Sequence, residues 1–229
     1  MRKENKDALV LCSGGLDSTT CLAIALEQGY NASCLALSYG QRHSIELARA
    51  CRIAGLYNCD FEVVDLRTEY MEDANCALVN PRHAMPGERT PDEVTAHLNV
   101  PGRNLLLLSI AFSKAIVDTA SSIWIGANAD DAAWPDCSAS FFVTLEALFT
   151  RLGYEVRIIA PLIEMHKKDI VREAYRLQVP VTETWTCYSP FLNREGQPLP
   201  CGRCLACVTR DNAFREYEYE NGLRTDEAN

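Results

Sequence analysis

The sequence has no stretch of about 18 consecutive apolar residues, so it offers nothing with the length and character of a membrane-spanning helix. It also lacks a hydrophobic leader: the opening Met1-Arg2-Lys3-Glu4-Asn5-Lys6-Asp7 is polar and runs straight into a short apolar segment. Positive charge is scarce, with 22 Lys and Arg against 31 Asp and Glu for a net charge of −9. Stable nucleic-acid binding runs on clustered cations, so that balance argues against it and favours a small charged substrate. There is no internal repeat and no low-complexity tract, which excludes solenoids and disordered scaffolds. A soluble, cytoplasmic protein with no membrane partner is expected. What the chain has in quantity is cysteine, 11 in 229 residues. Without a leader these are expected as reduced thiols rather than as a disulfide framework.

Apolar periodicity alternates between the two regular types. Strands are predicted near 8–12, 32–38, 61–65, 122–127 and 156–160, and helices near 18–28, 44–54, 104–119, 140–152 and 167–177. This is the pattern of a doubly wound, mostly parallel α/β sheet, which binds ligands beyond the carboxyl ends of its strands. The loops at Ser13, Tyr39, Gly126 and Pro161 are therefore expected to meet at one pocket. A hydrophobic content of 48% supports one good-sized domain with a small appendage: a core over 1–180 and a C-terminal lobe over 181–229. The aperiodic segment 70–99, with Pro81, Pro86, Gly87 and Pro91, reads as a lid, and its His83 and His97 receive no role. The acidic tail after Arg215 is expected to be a solvated, fraying end.

Leu9-Val10-Leu11-Cys12-Ser13-Gly14-Gly15-Leu16-Asp17-Ser18 takes an apolar strand into a glycine turn and then a helix. Two adjacent glycines let the backbone approach an anion, and the N–H groups opening the next helix, with Ser18 as the expected N-cap, point partial positive charge at it. A Walker loop would carry a lysine after its last glycine, and none stands here. The loop thus reads as a pyrophosphate nest, with Cys12, Ser13, Gly14, Gly15, Leu16, Asp17 and Ser18 as ATP-binding residues. A carboxylate beside a phosphate site repels it unless a cation intervenes, so Asp17 is the expected Mg²⁺ ligand. S-G-G-x-D-S resembles the signature of PP-loop ATP pyrophosphatases, whose Rossmann-like fold is thereby implied.

Cys187, Cys201, Cys204 and Cys207 form a second constellation. C-x-x-C-x-x-C gathers three thiols on one tight loop and Cys187 supplies a fourth, the donor set of a closed structural Zn²⁺ site. The same spacing serves iron–sulfur clusters, so both metals remain open on spacing alone. Structural zinc contributes roughly 10–16 kcal/mol of apparent binding free energy, enough to order a lobe with little core of its own. Cys21, Cys34, Cys51 and Cys59 fall in apolar segments and read as small hydrophobes.

Three more phrases, Ser38-Tyr39-Gly40-Gln41-Arg42-His43, Val100-Pro101-Gly102-Arg103-Asn104 and Trp134-Pro135-Asp136-Cys137, stand in order between the glycine loop and the cysteine knuckle. With those two motifs they make residues 8–215 resemble the QueC family. The resemblance implies ATP-dependent activation of 7-carboxy-7-deazaguanine, amidation by ammonia, and dehydration of the amide to a nitrile with a second ATP, on the way to queuosine. It also implies zinc and a homodimer. Asp17, Arg103 and Lys167 become the expected catalytic residues, the last two for phosphate or developing negative charge. Arg42, His43, Asn128, Asp131 and Asp136 become candidates for gripping the base.

Two departures stand against the family pattern. Ala132-Ala133-Trp134-Pro135-Asp136-Cys137-Ser138 replaces the usual S-G-Y-P-D-C-R, and 13 residues separate Cys187 from Cys201, a longer insertion than is usual. Neither touches the ATP loop. They keep open an alternative in which a QueC-like enzyme of a phage-defence system joins an activated deazaguanine carboxyl group to an amine on a partner protein. A tRNA-modifying PP-loop enzyme and a nucleotide-sensing module are further alternatives.

Overall fold

The structure, a computed structural model, describes residues 6–41, 44–66, 76–80, 82 and 98–223. Strand β1 (Asp7–Leu11) sends Ala8 and Val10 into one core and Leu9 and Leu11 into another. Strand β2 (Asn31–Ser38) repeats the alternation, with Cys34 and Ala36 on the first face and Leu35 and Leu37 on the second. Two buried faces mark central strands of a parallel sheet, which is why both segments read as nearly continuous apolar runs. Strands β3 (Phe61–Asp65), β4 (Ser122–Trp124) and β5 (Arg157–Ile159) complete a five-stranded sheet in the order β3-β2-β1-β4-β5, all pairings parallel. Val10 lies opposite Cys34 on one side and Trp124 on the other.

Helices cover both faces. α1 (Leu16–Glu27), α2 (Ser44–Leu56) and α5 (Lys167–Arg176) place Leu22, Ile53 and Ile170 against the Val10 face. α3 (Arg103–Val117) and α4 (Ala139–Arg151) place Leu108, Phe142 and Phe149 against the Leu9 face, where Phe112 stacks on Phe149 at 3.6 Å between ring centroids. Strand order reverses across β1 and β4, so a crevice opens at their carboxyl ends. Gly126 lies there. A Cβ on it would sit 2.9 Å from both Ser18 N and Asp17 C, so only glycine lets the end of β4 approach the first turn of α1.

The doubly wound α/β class is the one expected, and several details differ from the sequence reading. α1 begins at Leu16, with Gly15 as its N-cap in an extended conformation (φ −84°, ψ 170°). Ser18 is therefore no cap: it is buried in the first turn, its Oγ 3.2 Å from both Ser13 N and Gly15 O. β4 ends at Trp124 rather than Ala127, because the chain turns to bond Ala129 N to Met165 O at 3.0 Å. The first part of the tail after Arg215 is helical, and residues 224–229 lie outside the described residues. A helix, α6 (Leu205–Glu220), packs on α5, with Tyr217 stacked on Tyr175 and Glu220 paired to Lys168 (3.0 Å) and Arg172 (2.7 Å). Charge taken for solvation is complementary to the neighbouring helix. Cys21 and Cys34 are buried, but Cys51 is exposed and Cys59 half-buried.

Within the expected lid, Cys76, Ala77, Val79 and Leu98 are buried and cluster with Tyr39 and Tyr188. The remainder, including His83 and His97, lies outside the described residues. Between Cys187 and Cys201 runs a hairpin, β6 (Phe191–Leu192) and β7 (Pro198–Leu199), which the sequence reading did not anticipate. No helix among the described residues is long and apolar enough to cross a membrane.

Two glycines separate packing from conformational need. Gly126→Ala should destabilise the fold by about 1–3 kcal/mol through backbone overlap. Gly15→Ala, at φ −84° and with no Cβ neighbour nearer than 3.5 Å, should change stability by less than about 1 kcal/mol. Denaturant unfolding of the two variants measures the difference, and equal losses would refute it.

Candidate active site

The site starts from the turn Ser13-Gly14-Gly15. Gly14 adopts φ +79°, and a Cβ there would lie 2.5 Å from Glu46 O and 2.8 Å from Ala50 N, so the loop is pressed against the first turns of α2. On its other side Gly14 O accepts the backbone N–H of Trp185 at 2.8 Å. Ser13 Oγ and Ser18 Oγ are 3.1 Å apart, and Thr19 Oγ1 donates to Gly15 O at 2.7 Å. The result is a rigid concave backbone opening on the N-terminus of α1, where free N–H groups and the helix dipole favour an anion.

Asp17 is in the first turn of α1. One carboxylate oxygen, Oδ2, pairs with the ammonium of Lys167 and accepts Asn128 Nδ2 at 3.2 Å. The other, Oδ1, is buried with no hydrogen-bond partner among the described residues. A buried orphan oxygen costs free energy unless something occupies it. Beside an anion cradle, a hard divalent cation suits it. Asn128 Nδ2 also reaches Asp131 Oδ2 at 2.9 Å, while Asn128 Oδ1 accepts Asp130 N at 3.0 Å. Asp130 then accepts Lys167 N at 2.9 Å and meets His166 Nδ1 at 2.6 Å. Burial works to raise the Asp130 carboxyl, but the His166 contact and the Lys167 amide together hold it below its ordinary range. Burial pushes Asp131 up.

Arg103 and Lys167 each open a helix, α3 and α5, where a cation opposes the helix dipole. At Lys167 the Asp17 carboxylate answers that charge. Arg103 lines a cavity of about 310 Å³ at the strand ends, together with Ser13, Asp17, Ser18, Tyr39 and Glu46, whereas Lys167 does not line it. Leu11, Leu35, Leu37, Leu107 and Ile125 supply an apolar part of the cavity lining. Burial pushes the Glu46 carboxyl up to about 7, against the opposing pull of Arg103.

The loops at Ser13, Tyr39 and Gly126 do meet in this wall, and Pro161 does not. Cys12 and Asp131 also line it. Asn128 is buried behind the wall, 1% exposed, its side chain spent on Asp17, Asp130 and Asp131. Asp136 is not in the wall: its Oδ2 accepts Asn104 N at 3.0 Å, bonding to the start of α3. Arg42 and His43 lie outside the described residues. Sequence reasoning missed Glu46 and Tyr188 and gave Cys137, also in the wall, no role. Glu46 had a usable signal, since the first turn of a helix following a strand of this fold lies at the crevice.

Below the cradle, the Sγ atoms of Cys187, Cys201, Cys204 and Cys207 all lie within 4.8 Å of one another. Cys187 Sγ accepts N–H groups from Ser189 (3.3 Å) and Cys201 (3.2 Å), and Cys201 Sγ accepts that of Cys204 at 3.3 Å. Burial would raise the Cys201 thiol, but the amides of Arg203 and Cys204 outweigh it and bring it down to about 7. Convergent sulfurs solvated by amides are a donor set suited to a soft or borderline metal. Trp185 links the two centres, since its indole N–H donates to Cys187 O at 3.1 Å while its backbone holds Gly14.

A parallel sheet of this order, with a lysine-free Ser-Gly-Gly cradle after β1 and an aspartate in the following helical turn, defines the PP-loop class of adenine-nucleotide enzymes. A 4-thiouridine synthetase in complex with RNA and bound ATP shares the fold, with a TM-score of 0.52 at 16% identity over 95% of this chain and 52% of that one. A predicted tRNA methyltransferase subunit of Methanocaldococcus jannaschii does so with a TM-score of 0.51 at 24% identity over 74% and 75%. Within that class the chain belongs to the QueC family: the model for queuosine biosynthesis protein QueC matches residues 7–218. The 7-cyano-7-deazaguanine synthase of Microcystis aeruginosa is 39% identical over 222 residues, covering 93% of each chain. That of Anaeromyxobacter dehalogenans is 40% identical over 223 residues, again covering 93% of each.

Cys204→Ser should remove metal from the purified protein, whereas Cys51→Ser, at an exposed thiol far in sequence from the cluster, should leave it. Elemental analysis of metal per chain checks this, and equal stoichiometry in the two variants would refute a four-cysteine site.

Proposed function

We propose that this chain is a 7-cyano-7-deazaguanine synthase, an ATP-dependent carbon–nitrogen ligase acting in queuosine biosynthesis. Family membership over residues 7–218 supports the activity, and the orphan Asp17 Oδ1 beside the Ser-Gly-Gly cradle is the observation that supports this site for it. The substrates are ATP, 7-carboxy-7-deazaguanine and ammonia. A carboxylate oxygen attacks the α-phosphorus of ATP and pyrophosphate leaves. Ammonia then adds to the acyl carbon, a proton is lost and AMP departs, giving the amide. In a second round the amide oxygen takes AMP from another ATP, and loss of AMP and the nitrogen-bound protons leaves the nitrile.

The chain's residues position and neutralise rather than form bonds, as charge-dominated phosphoryl chemistry requires. Ser13, Gly14, Gly15 and Ser18 receive the pyrophosphate group through backbone N–H and hydroxyl donors, with Cys12 and Leu16 shaping the loop. Asp17 is the ligand for Mg²⁺, which supplies charge neutralisation on the leaving group. Asn128 and Lys167 hold that carboxylate in a single orientation, and Lys167 and Arg103 face the developing negative charge. The four cysteines hold Zn²⁺ as a staple for 181–229, a lobe packed on the 1–180 core. An intracellular homodimer is the working form.

The hairpin between Cys187 and Cys201 exposes Phe191, Leu192 and Leu199, the one observation that favours a protein acceptor over ammonia. Incubation with Mg-ATP, 7-carboxy-7-deazaguanine and ammonium, followed by mass spectrometry, is expected to yield AMP, amide and nitrile. AMP without nitrile would overturn the synthase reading. Asp17→Asn should lower AMP formation by at least about 100-fold, the scale on which loss of one charged transition-state contact is felt, with metal content unchanged. Undiminished AMP release would remove Asp17 from the chemistry.

A further inference from the structure

Three carboxylates line the cavity: Asp17, Asp131 and Glu46. The first two are engaged, Asp17 Oδ2 with Lys167 and Asn128, and Asp131 Oδ2 with the Asn128 side chain. Glu46 stands in the first turn of α2. Its charged and polar neighbours are Arg103 from α3, Tyr39 from the loop after β2, and Tyr188 from the approach to the cysteine lobe. All four line the same cavity.

Resting on the synthase reading, we propose that Glu46 is the specificity residue for the base, its carboxylate accepting the ring N–H and exocyclic amino hydrogens of a guanine-type edge between Tyr39 and Tyr188. A 2-amino-4-oxo pyrimidine edge presents two adjacent N–H donors, and a carboxylate presents two acceptors in a matching fork. Adenine has no such adjacent pair on its pairing edge, and the apolar lining from Leu11, Leu35, Leu37, Leu107 and Ile125 suits its flat ring. Arg103, beside Glu46, can meet the carboxylate that the base carries on its five-membered ring. Glu46 in the unliganded wall is poorly solvated, which is why burial holds its carboxyl near 7. The two donors of the base replace the water it has lost. Glu46 is presented by the same turn of α2 that presses on Gly14, so the base and pyrophosphate subsites share one backbone support.

The test compares 7-carboxy-7-deazaguanine with its analogue lacking the exocyclic amine, in wild type, Glu46→Gln and Glu46→Asp. Wild type should prefer the amino compound in kcat/KM by about 100-fold or more, the scale set by leaving a buried polar group unpaired. Glu46→Gln should raise the KM for the base at least about 10-fold, leave the KM for ATP within about 2-fold, and collapse the preference for the amine. Glu46→Asp, which retains the acceptor pair, should keep more of that preference than Glu46→Gln. Equilibrium binding of the base to each protein supplies the same comparison without turnover. An unchanged preference in Glu46→Gln, or a rise in the KM for ATP rather than for the base, would overturn the proposal while leaving the synthase reading intact. A wild type that neither binds nor converts the base would sink that reading, and this one with it.

Discussion

The site depends on how closely three separate pieces of chain press on Gly14, Gly15 and the first turn of α1. α2 approaches until no Cβ fits on Gly14, the end of β4 approaches until none fits on Gly126, and Trp185 closes the remaining side with a hydrogen bond to Gly14 O. Protein interiors resist small displacements because they are close-packed. A loop of small residues held this way keeps its N–H groups aimed at one point without a bound ligand. That preorganisation is what an anion site needs if binding is not to be consumed in ordering the loop.

Electrostatics follow from the packing. Asn128 is buried, and its Nδ2 donates to both Asp17 and Asp131, so two carboxylates that would otherwise repel share one amide nitrogen. Lys167 answers Asp17, and Asp130 anchors the start of the helix that carries Lys167. Among the described residues, the other oxygen of Asp17 has no partner while its neighbours Asn128 and Lys167 are committed.

The fold was legible because β1 and β2 are buried on both faces and alternate small and large apolar residues, a pattern that no amphipathic helix shares. The ATP loop and the cysteine knuckle were legible because their chemistry depends on local spacing. Legibility failed where function depends on a long-range neighbour. Asp136 reads as a candidate for gripping the base, and only the fold shows it bonding to the start of α3 from 32 positions away. Glu46 was missed although its place in the first turn of α2 pointed to the crevice, because its neighbours Arg103 and Tyr188 come from distant parts of the chain. The terminal acids looked solvated because Lys168 and Arg172, 52 and 48 positions back, are invisible to local composition.

The bond from Trp185 N to Gly14 O joins positions separated by most of the chain. A ribosome delivers the glycine turn early and its clamp late, so a nascent chain that has already made β1, α1 and β2 still has no finished phosphate cradle. Nucleotide cannot template the early stages of folding, and the closure entropy of the large loop must be met by the sheet and its two cores alone. The phosphate cradle is therefore complete only once Trp185 has been made, long after the glycine turn it clamps.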